Sequence, residues 1–383
     1  MSKLIELLDL VTNFYTYEGV VKALSKVSLT INHGVTFGLV GESGCGKSVT
    51  ARSIMRLVQQ PGKIENGKIL FYPDRDSNSG PVDLARQSEK YLRNLRGRDI
   101  SMIFQEPNSA LNPILTIGFQ ISESFLFHQT KEMAQKVLED LNTKGNSTWY
   151  PTFLLKAVYK LAMADPNSFV LSILKKVPVI RAWDKLLKKE AINRSINILK
   201  KLGIPNPSQV VSLYPHNLSG GMKQRIVIAI ALACHPILLI ADEATSNLDV
   251  TIQAQILHLI KELKRSEISS VLFITHDLGI VAEICDEVGV MYAGQLCEVG
   301  NVRDIFENPR HPYTVALLHS VPKIDKKDKL ETIEGTVPNL VAPPSGCRFH
   351  PRCRFKTEMC VERFPSMKKV NGNHTVACHN YSG

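Results

Sequence analysis

Apolar and polar positions change rhythm several times along this chain. Over residues 4–31 they alternate, which predicts strands joined by a turn near Glu18 and Gly19. Residues 36–40 are short and apolar and read as a buried strand. A glycine-rich loop follows, then a helix over about 47–58, and residues 98–104 form a further strand candidate. Over 111–214 the rhythm is helical, with apolar residues at helical spacing in 117–126 and 191–202. The most apolar run, 226–241, is shorter than the roughly 20 residues a bilayer requires. It is also broken by His235-Pro236, so it reads as a core helix followed by a buried strand. Strand and helix then alternate: strand 237–241, helix 252–265, strands 271–274 and 288–291. That order predicts a parallel sheet covered by helices.

A chain of 383 residues with 44% apolar content holds enough material for about two or three compact units. Its net charge of +10 favours acidic partners: a nucleotide, a nucleic acid or an anionic membrane surface. The first residues lack the charged start, apolar core and cleavage site of a secretory signal. The chain is therefore expected at the cytoplasmic face of the membrane, associated peripherally. Residues 131–189 look like an added piece within the helical part. Residues 152–189 mix aliphatics with lysines, and Trp149, Tyr150 and Trp183 punctuate the segment. It reads as an amphipathic helical hairpin, with membrane or partner docking as the sharper alternative. After Pro322 the composition is that of a linker. No internal repeat is visible, so one nucleotide-binding cassette is expected.

Gly41-Glu42-Ser43-Gly44-Cys45-Gly46-Lys47-Ser48, with Val49 following, fits the phosphate-binding loop pattern in full. It leaves an apolar strand and opens a helix, the context that pattern needs. The glycines let backbone N–H groups face the phosphates, and the helix N-terminus adds positive potential. Lys47 is expected at the β/γ-phosphates of ATP, with the Ser48 hydroxyl on Mg²⁺. The run ending in Asp242-Glu243 delivers two carboxylates to the C-terminal end of a strand. Asp242 suits Mg²⁺, and Glu243 suits the general base that polarises the attacking water.

Leu218-Ser219-Gly220-Gly221-Met222-Lys223-Gln224-Arg225 resembles the signature of ABC ATPases. That resemblance implies a RecA-like α/β core with an antiparallel β-subdomain and a helical subdomain. It also implies a head-to-tail pair of cassettes, in which Ser219, Gly220, Gly221, Gln224 and Asp249 complete the partner's ATP site. It assigns Gln105 to the Q-loop, where it would contact Mg²⁺ and the attacking water, Asp249 with 246–248 to the D-loop, and His276 to the γ-phosphate switch. Tyr17 is the choice for stacking on adenine, with Tyr15 and Phe14 as alternatives. Ala244 and Asn247 depart from the family pattern but remove no catalytic group.

Phe104-Gln105-Glu106-Pro107, Ala110-Leu111-Asn112-Pro113, the run 249–256 and His311-Pro312-Tyr313-Thr314 resemble the ATPases of dipeptide and oligopeptide importers. The resemblance implies import of peptides, with oligosaccharides or nickel as alternative cargo. It implies a homologous second ATPase subunit in a heterodimer, two permeases, an external binding protein and no nucleic-acid partner. A soluble ABC ATPase acting on nucleic acid is the rival from another class. The expected division is 1–110 with 223–305 as core, 111–222 as helical subdomain and 306–383 as a C-terminal extension. Cys347, Cys353, Cys360 and Cys378 follow a C-x5-C-x6-C-x17-C spacing, which is not that of a zinc ribbon. Four thiolates suit a [4Fe–4S] cluster or zinc, and the resemblance favours the cluster. The tail is thus expected to be a small Cys-rich module.

Overall fold

The computed structural model describes residues 2–73, 80–143, 152–164, 181–245, 249–266, 270–320 and 333–381. Its strands, in chain order, are β1 Lys3–Thr16, β2 Gly19–Asn32, β3 Thr36–Val40, β4 Gly62–Phe71, β5 Val82–Asp83 and β6 Ile100–Ile103. They continue with β7 Leu238–Asp242, β8 Ser270–Ile274, β9 Glu287–Tyr292, β10 Gln295–Asn301, β11 Lys368–Asn371 and β12 His374–Val376. The chain forms two compact units, one of 1–96, 237–244 and 260–383, the other of 97–236 and 245–259.

The first unit holds two sheets. One is antiparallel in the order β2-β1-β4-β5, the β-subdomain expected from the alternation of 4–31. That alternation is imperfect because the β1–β2 register slips between Leu7 and Leu10, where Asp9 takes φ 46°. Such a bulge lets Leu7 and Leu10 both turn inward, and both are buried. In the other sheet, this unit's strands run β11-β12-β10-β9-β3-β8-β7. β3 lies parallel to β8 and β9, and β7 parallel to β8. All residues of β3, β7, β8 and β9 are buried, as central strands covered on both faces must be. The helix Lys47–Ile54 stops four residues short of its expected end; Arg56, two residues on, turns to φ 52°.

The C-terminal segment does not stand apart from this unit. β12 pairs antiparallel with β10, Glu298 opposite Val376, and β11 continues the sheet beyond it. The hairpin thereby covers a strand edge that would otherwise expose unpaired backbone groups. Pairing across 78 positions is a property of topology, which composition does not carry.

The second unit is mainly helical. Thr116 caps the helix Ile117–His128 by accepting from the Phe119 amide. That helix packs on Arg181–Lys201, and the pair encloses Ile117, Ile121, Ala191 and Leu199. The helices Thr130–Thr143 and Thr152–Ala164, from the added piece, pack on one another and on Arg181–Lys201. They bury Met133, Ala134, Val158 and Tyr159. Trp149 and Tyr150 lie outside the described residues. Among the described residues no helix is long and apolar enough to cross a membrane.

Candidate phosphate-binding site

The loop between β3 and the helix Lys47–Ile54 is shaped by glycine. Gly41 has φ 151°, and a Cβ there would lie 2.1 Å from the Met291 carbonyl oxygen. Gly46 has φ 103° at the helix N-cap, with the Ala23 carbonyl 2.9 Å from where its Cβ would be. Only glycine fits such dihedrals beside neighbouring backbone. Ser43 and Gly44 are exposed, while Gly41, Cys45 and Gly46 are buried.

Lys47 is 5% exposed and folds back into the loop. Its Nζ donates to the carbonyls of Gly41 at 2.8 Å and Glu42 at 3.0 Å. The ammonium is thus held by weak neutral acceptors, which an incoming anion can replace. The next side chain, Ser48, donates its Oγ–H to Asp242 Oδ1 at 2.8 Å. The parallel pairing of β7 with β8 places Asp242 beside Ile274 at the C-terminal end of the sheet. Asp242 is almost fully buried, and burial pushes its carboxyl above the usual carboxylate range. A hydroxyl and a buried carboxylate 2.8 Å apart, beside a lysine, are hard oxygen donors suited to Mg²⁺.

Glu243 follows in the left-handed region, φ 48°, and its N–H donates to the Ile274 carbonyl at 2.9 Å. That turn redirects the chain after β7, so Glu243 and Asp242 do not share a direction. His276 Nδ1 lies 3.5 Å from Glu243 Oε1, and the His276 side chain is 60% exposed. The exposed Tyr17 sits in the turn between β1 and β2, whereas Tyr15 is tied to Glu65 by a 2.7 Å hydrogen bond.

The second unit positions the other expected residues. Ser219 is the N-cap of Gly220–Leu232 and accepts from the Met222 amide. Ser219 and Gly220 are exposed, Gly221 packs against Ile252, and Gln224 is buried. Asp249 is exposed and its Oδ1 accepts from the Ile252 amide at 2.9 Å. Gln105 is exposed. Ser246, Asn247 and Leu248 of the expected D-loop lie outside the described residues.

In the C-terminal segment, Cys347, Cys353, Cys360 and Cys378 line one small cavity of about 10 Å³ together with Phe349 and His311. None is in a disulfide. Burial raises the Cys353 and Cys378 thiols and pushes Cys347 up to about 11. Among the described residues, however, no group of three or more His, Cys, Asp or Glu side chains is drawn together as around a single metal ion. The cysteines share a space without converging on one point.

Two residues near the loop escaped sequence reasoning. Arg352 reaches the Glu42 carboxylate with both terminal nitrogens, at 2.8 and 3.1 Å. The Tyr313 hydroxyl accepts from the Glu42 amide at 3.0 Å. Tyr313 belongs to a motif noted for family resemblance alone, Arg352 lies between two of the spaced cysteines, and no local spacing links either to a loop some 270–310 positions upstream.

Comparison with known proteins extends these observations. Residues 24–246 match a family model described as ABC transporter, and 297–360 match one described as oligopeptide/dipeptide transporter, C-terminal region. The chain is 42% identical over 380 residues to the dipeptide transport ATP-binding protein DppD of Bacillus subtilis, covering 99% of this chain and 95% of the relative. It is 40% identical over 379 residues to the oligopeptide transport ATP-binding protein OppD of the same organism, covering 98% and 88%. Its fold resembles a dimeric ATP-binding cassette bound to ADP and Pi, with TM-score 0.54 and 21% identity, over 78% of this chain and 99% of that one. It also resembles cbiO1, part of an ABC transporter complex of Clostridium perfringens, with TM-score 0.51 and 23% identity, over 80% and 92%.

Proposed function

The chain belongs to the ABC transporter family, and from that premise we propose that it binds and hydrolyses ATP to drive import of dipeptides or oligopeptides. The observation that carries the chemistry is the 2.8 Å contact of Ser48 with Asp242 beside Lys47. It joins a phosphate loop to a buried carboxylate at the C-terminal edge of a parallel sheet. The peptide assignment is supported by the full-length similarity to DppD and OppD and by the matched C-terminal region.

In this reading the loop amides of 41–49 cradle the phosphates of ATP, and Lys47 exchanges its carbonyl partners for phosphate oxygens. Ser48 and Asp242 would hold Mg²⁺, which would supply charge neutralisation at the phosphates. Glu243 accepts the proton of the attacking water. His276, 3.5 Å from Glu243, faces the γ-phosphate and orients that carboxylate. Tyr17 offers its exposed ring to adenine. Ser219, Gly220, Gly221, Gln224 and Asp249 serve the ATP bound by a second cassette, a homologous chain in a heterodimer. The helical subdomain at about 111–222 docks on two permease subunits at the cytoplasmic face of the membrane. An external binding protein delivers the peptide.

Glu243→Gln tests the hydrolytic assignment. Turnover should fall about 10²–10⁴-fold, while ATP binding persists and the two cassettes remain closed on it. Phosphate release and size-exclusion with ATP read both. Normal hydrolysis by this variant would overturn the general-base role.

The four-cysteine cavity is read as a structural [4Fe–4S] site. All-thiol donors suit a cluster or zinc. The donor chemistry of four neighbouring cysteines supports this reading; no trio is drawn together among the described residues as a bound zinc would need. Anaerobic purification followed by iron and sulfide analysis tests this. Four irons and four sulfides per chain are expected, and zinc in their place would replace the cluster reading.

A further inference from the structure

Glu42 is an ordinary position in the loop pattern, since that pattern asks nothing of its side chain. Here it is held at three separate points. Its carboxylate takes both terminal nitrogens of Arg352, at 2.8 and 3.1 Å. Its N–H donates to the Tyr313 hydroxyl at 3.0 Å, and its carbonyl accepts from Lys47 Nζ at 3.0 Å. The third contact matters most, because it connects the other two to the one cationic side chain of the loop.

Arg352 is itself immobilised. Its side chain is 6% exposed. Nε donates to the Glu334 carbonyl at 2.9 Å, one terminal nitrogen to the Ile333 carbonyl at 3.1 Å and the other to the Tyr292 hydroxyl at 3.2 Å. The guanidinium also lies 5.7 Å from the Tyr292 ring centroid. Tyr313 is fully buried and packs at a tilt against Tyr292 and Phe349, with centroids 4.6 and 5.3 Å away. Two side chains of a late segment, both packed against Tyr292, therefore converge on one residue of the phosphate loop. Such a bidentate, shielded pair is far stronger than a surface ion pair and fixes geometry as well as energy. A solvated surface pair would show one loose contact and an exposed arginine.

We propose that Arg352 is a positioning residue for the phosphate loop, acting through Glu42, with Tyr313 as its second support. The C-terminal segment thus braces the ATP site from behind, setting where Lys47 stands before the nucleotide arrives. This rests on reading residues 41–48 as the phosphate loop. It is independent of what the four cysteines hold.

The full-length chain provides the test, with equilibrium ATP binding and the split between KM and kcat as readouts. Arg352→Gln should weaken ATP about tenfold, the scale of one charge-assisted contact passed on in part, with KM raised more than kcat is lowered. Arg352→Lys should recover part of the loss, since an ammonium keeps the charge but not the fork. Tyr313→Phe, which keeps the aromatic packing, should weaken ATP about threefold, and it carries the test if the arginine variant does not fold. In a Glu42→Gln background, Arg352→Gln should add less than about twofold, because the two act as one unit. Wild-type ATP affinity in folded Arg352→Gln and Tyr313→Phe would overturn the proposal. So would an Arg352→Gln effect that survives in full without the Glu42 carboxylate. Lys47→Ala separates the premise: if that variant binds ATP normally, the loop assignment fails, whatever Arg352 does.

Discussion

His374 Nε2 lies 2.7 Å from Glu298 Oε1, and both side chains are shut away from solvent. Glu298 also accepts from the amides of Arg310 and His311, at 2.7 and 2.9 Å. One buried carboxylate therefore ties β10, the start of the helix Pro312–His319 and the β12 strand together. Leaving a buried acceptor short of a hydrogen bond costs about 1–3 kcal/mol. The two amides still serve Glu298 once the imidazole is gone, so His374→Ala should fall near the lower end, about 1 kcal/mol. Denaturant unfolding of the whole chain measures this. A loss under about 0.5 kcal/mol, the range of ordinary surface changes, would show that the pair does not hold the hairpin.

Glu287 opens β9 and is 8% exposed. Burial raises its carboxyl above the usual range, with Asp286 adding to the shift and Asn373 opposing it. A carboxyl with a raised native pKa binds more protons folded than unfolded between the two pKa values. Stability from this group therefore falls as pH rises through that window, and the penalty is complete above the native value. Glu287→Gln should consequently be more stable than the wild type at neutral pH. The difference should vanish below the ordinary carboxyl value of 4.5. Thermal unfolding at a series of pH values checks the sign, and a variant less stable at pH 7 would refute it.

These two sites mark the limit of what the chain disclosed before its structure. Strands β1–β3 and β7–β9, and the helices around them, are legible because apolar spacing is local. Lys47, Ser48 and Asp242 are legible because a glycine loop and a strand-end carboxylate each sit in a recognisable local context, although 194 positions separate Ser48 from Asp242. The Glu298–His374 pair, the Arg352–Glu42 clamp and the extension of the sheet by β12 have no such local mark. Each joins residues whose types are common in any loop or strand, and only the folded path brings them together. The four cysteines were visible as a spacing, yet their sharing of a cavity with His311 and Phe349 depends on how the tail folds back.

Asp242 offers a test in which stability and activity move in opposite directions. Its charge is disfavoured by burial and sustained partly by the Ser48 hydroxyl. Asparagine retains an oxygen that can accept from Ser48 but carries no charge. Asp242→Asn should therefore unfold at a higher temperature than the wild type in the absence of nucleotide at neutral pH. Mg²⁺-dependent ATP hydrolysis should fall about a hundredfold or more, as when a charge-stabilising group is lost from a transition state. Parallel melting curves and phosphate-release assays measure the two effects. Hydrolysis at wild-type rates would remove Asp242 from the metal site.

Gly41 and Gly44 separate two reasons for glycine within one loop. At Gly41 a Cβ would stand 2.1 Å from the Met291 carbonyl oxygen and 2.8 Å from Cys45 Sγ, so backbone would have to move. At Gly44 φ is 78°, but nothing lies within 4 Å of an added Cβ. Alanine at Gly44 should thus cost only the left-handed conformation, about 1–2 kcal/mol. Alanine at Gly41 adds a clash with neighbouring main chain, and should cost about 3 kcal/mol or more. Because the Gly41 carbonyl also holds Lys47 Nζ at 2.8 Å, the shift should carry into the position of that ammonium. Gly41→Ala should therefore lose ATP-dependent thermal stabilisation as well as intrinsic stability. Melting curves with and without Mg·ATP distinguish the outcomes, and equal behaviour of the two variants without nucleotide would show that the Met291 contact does not constrain the loop.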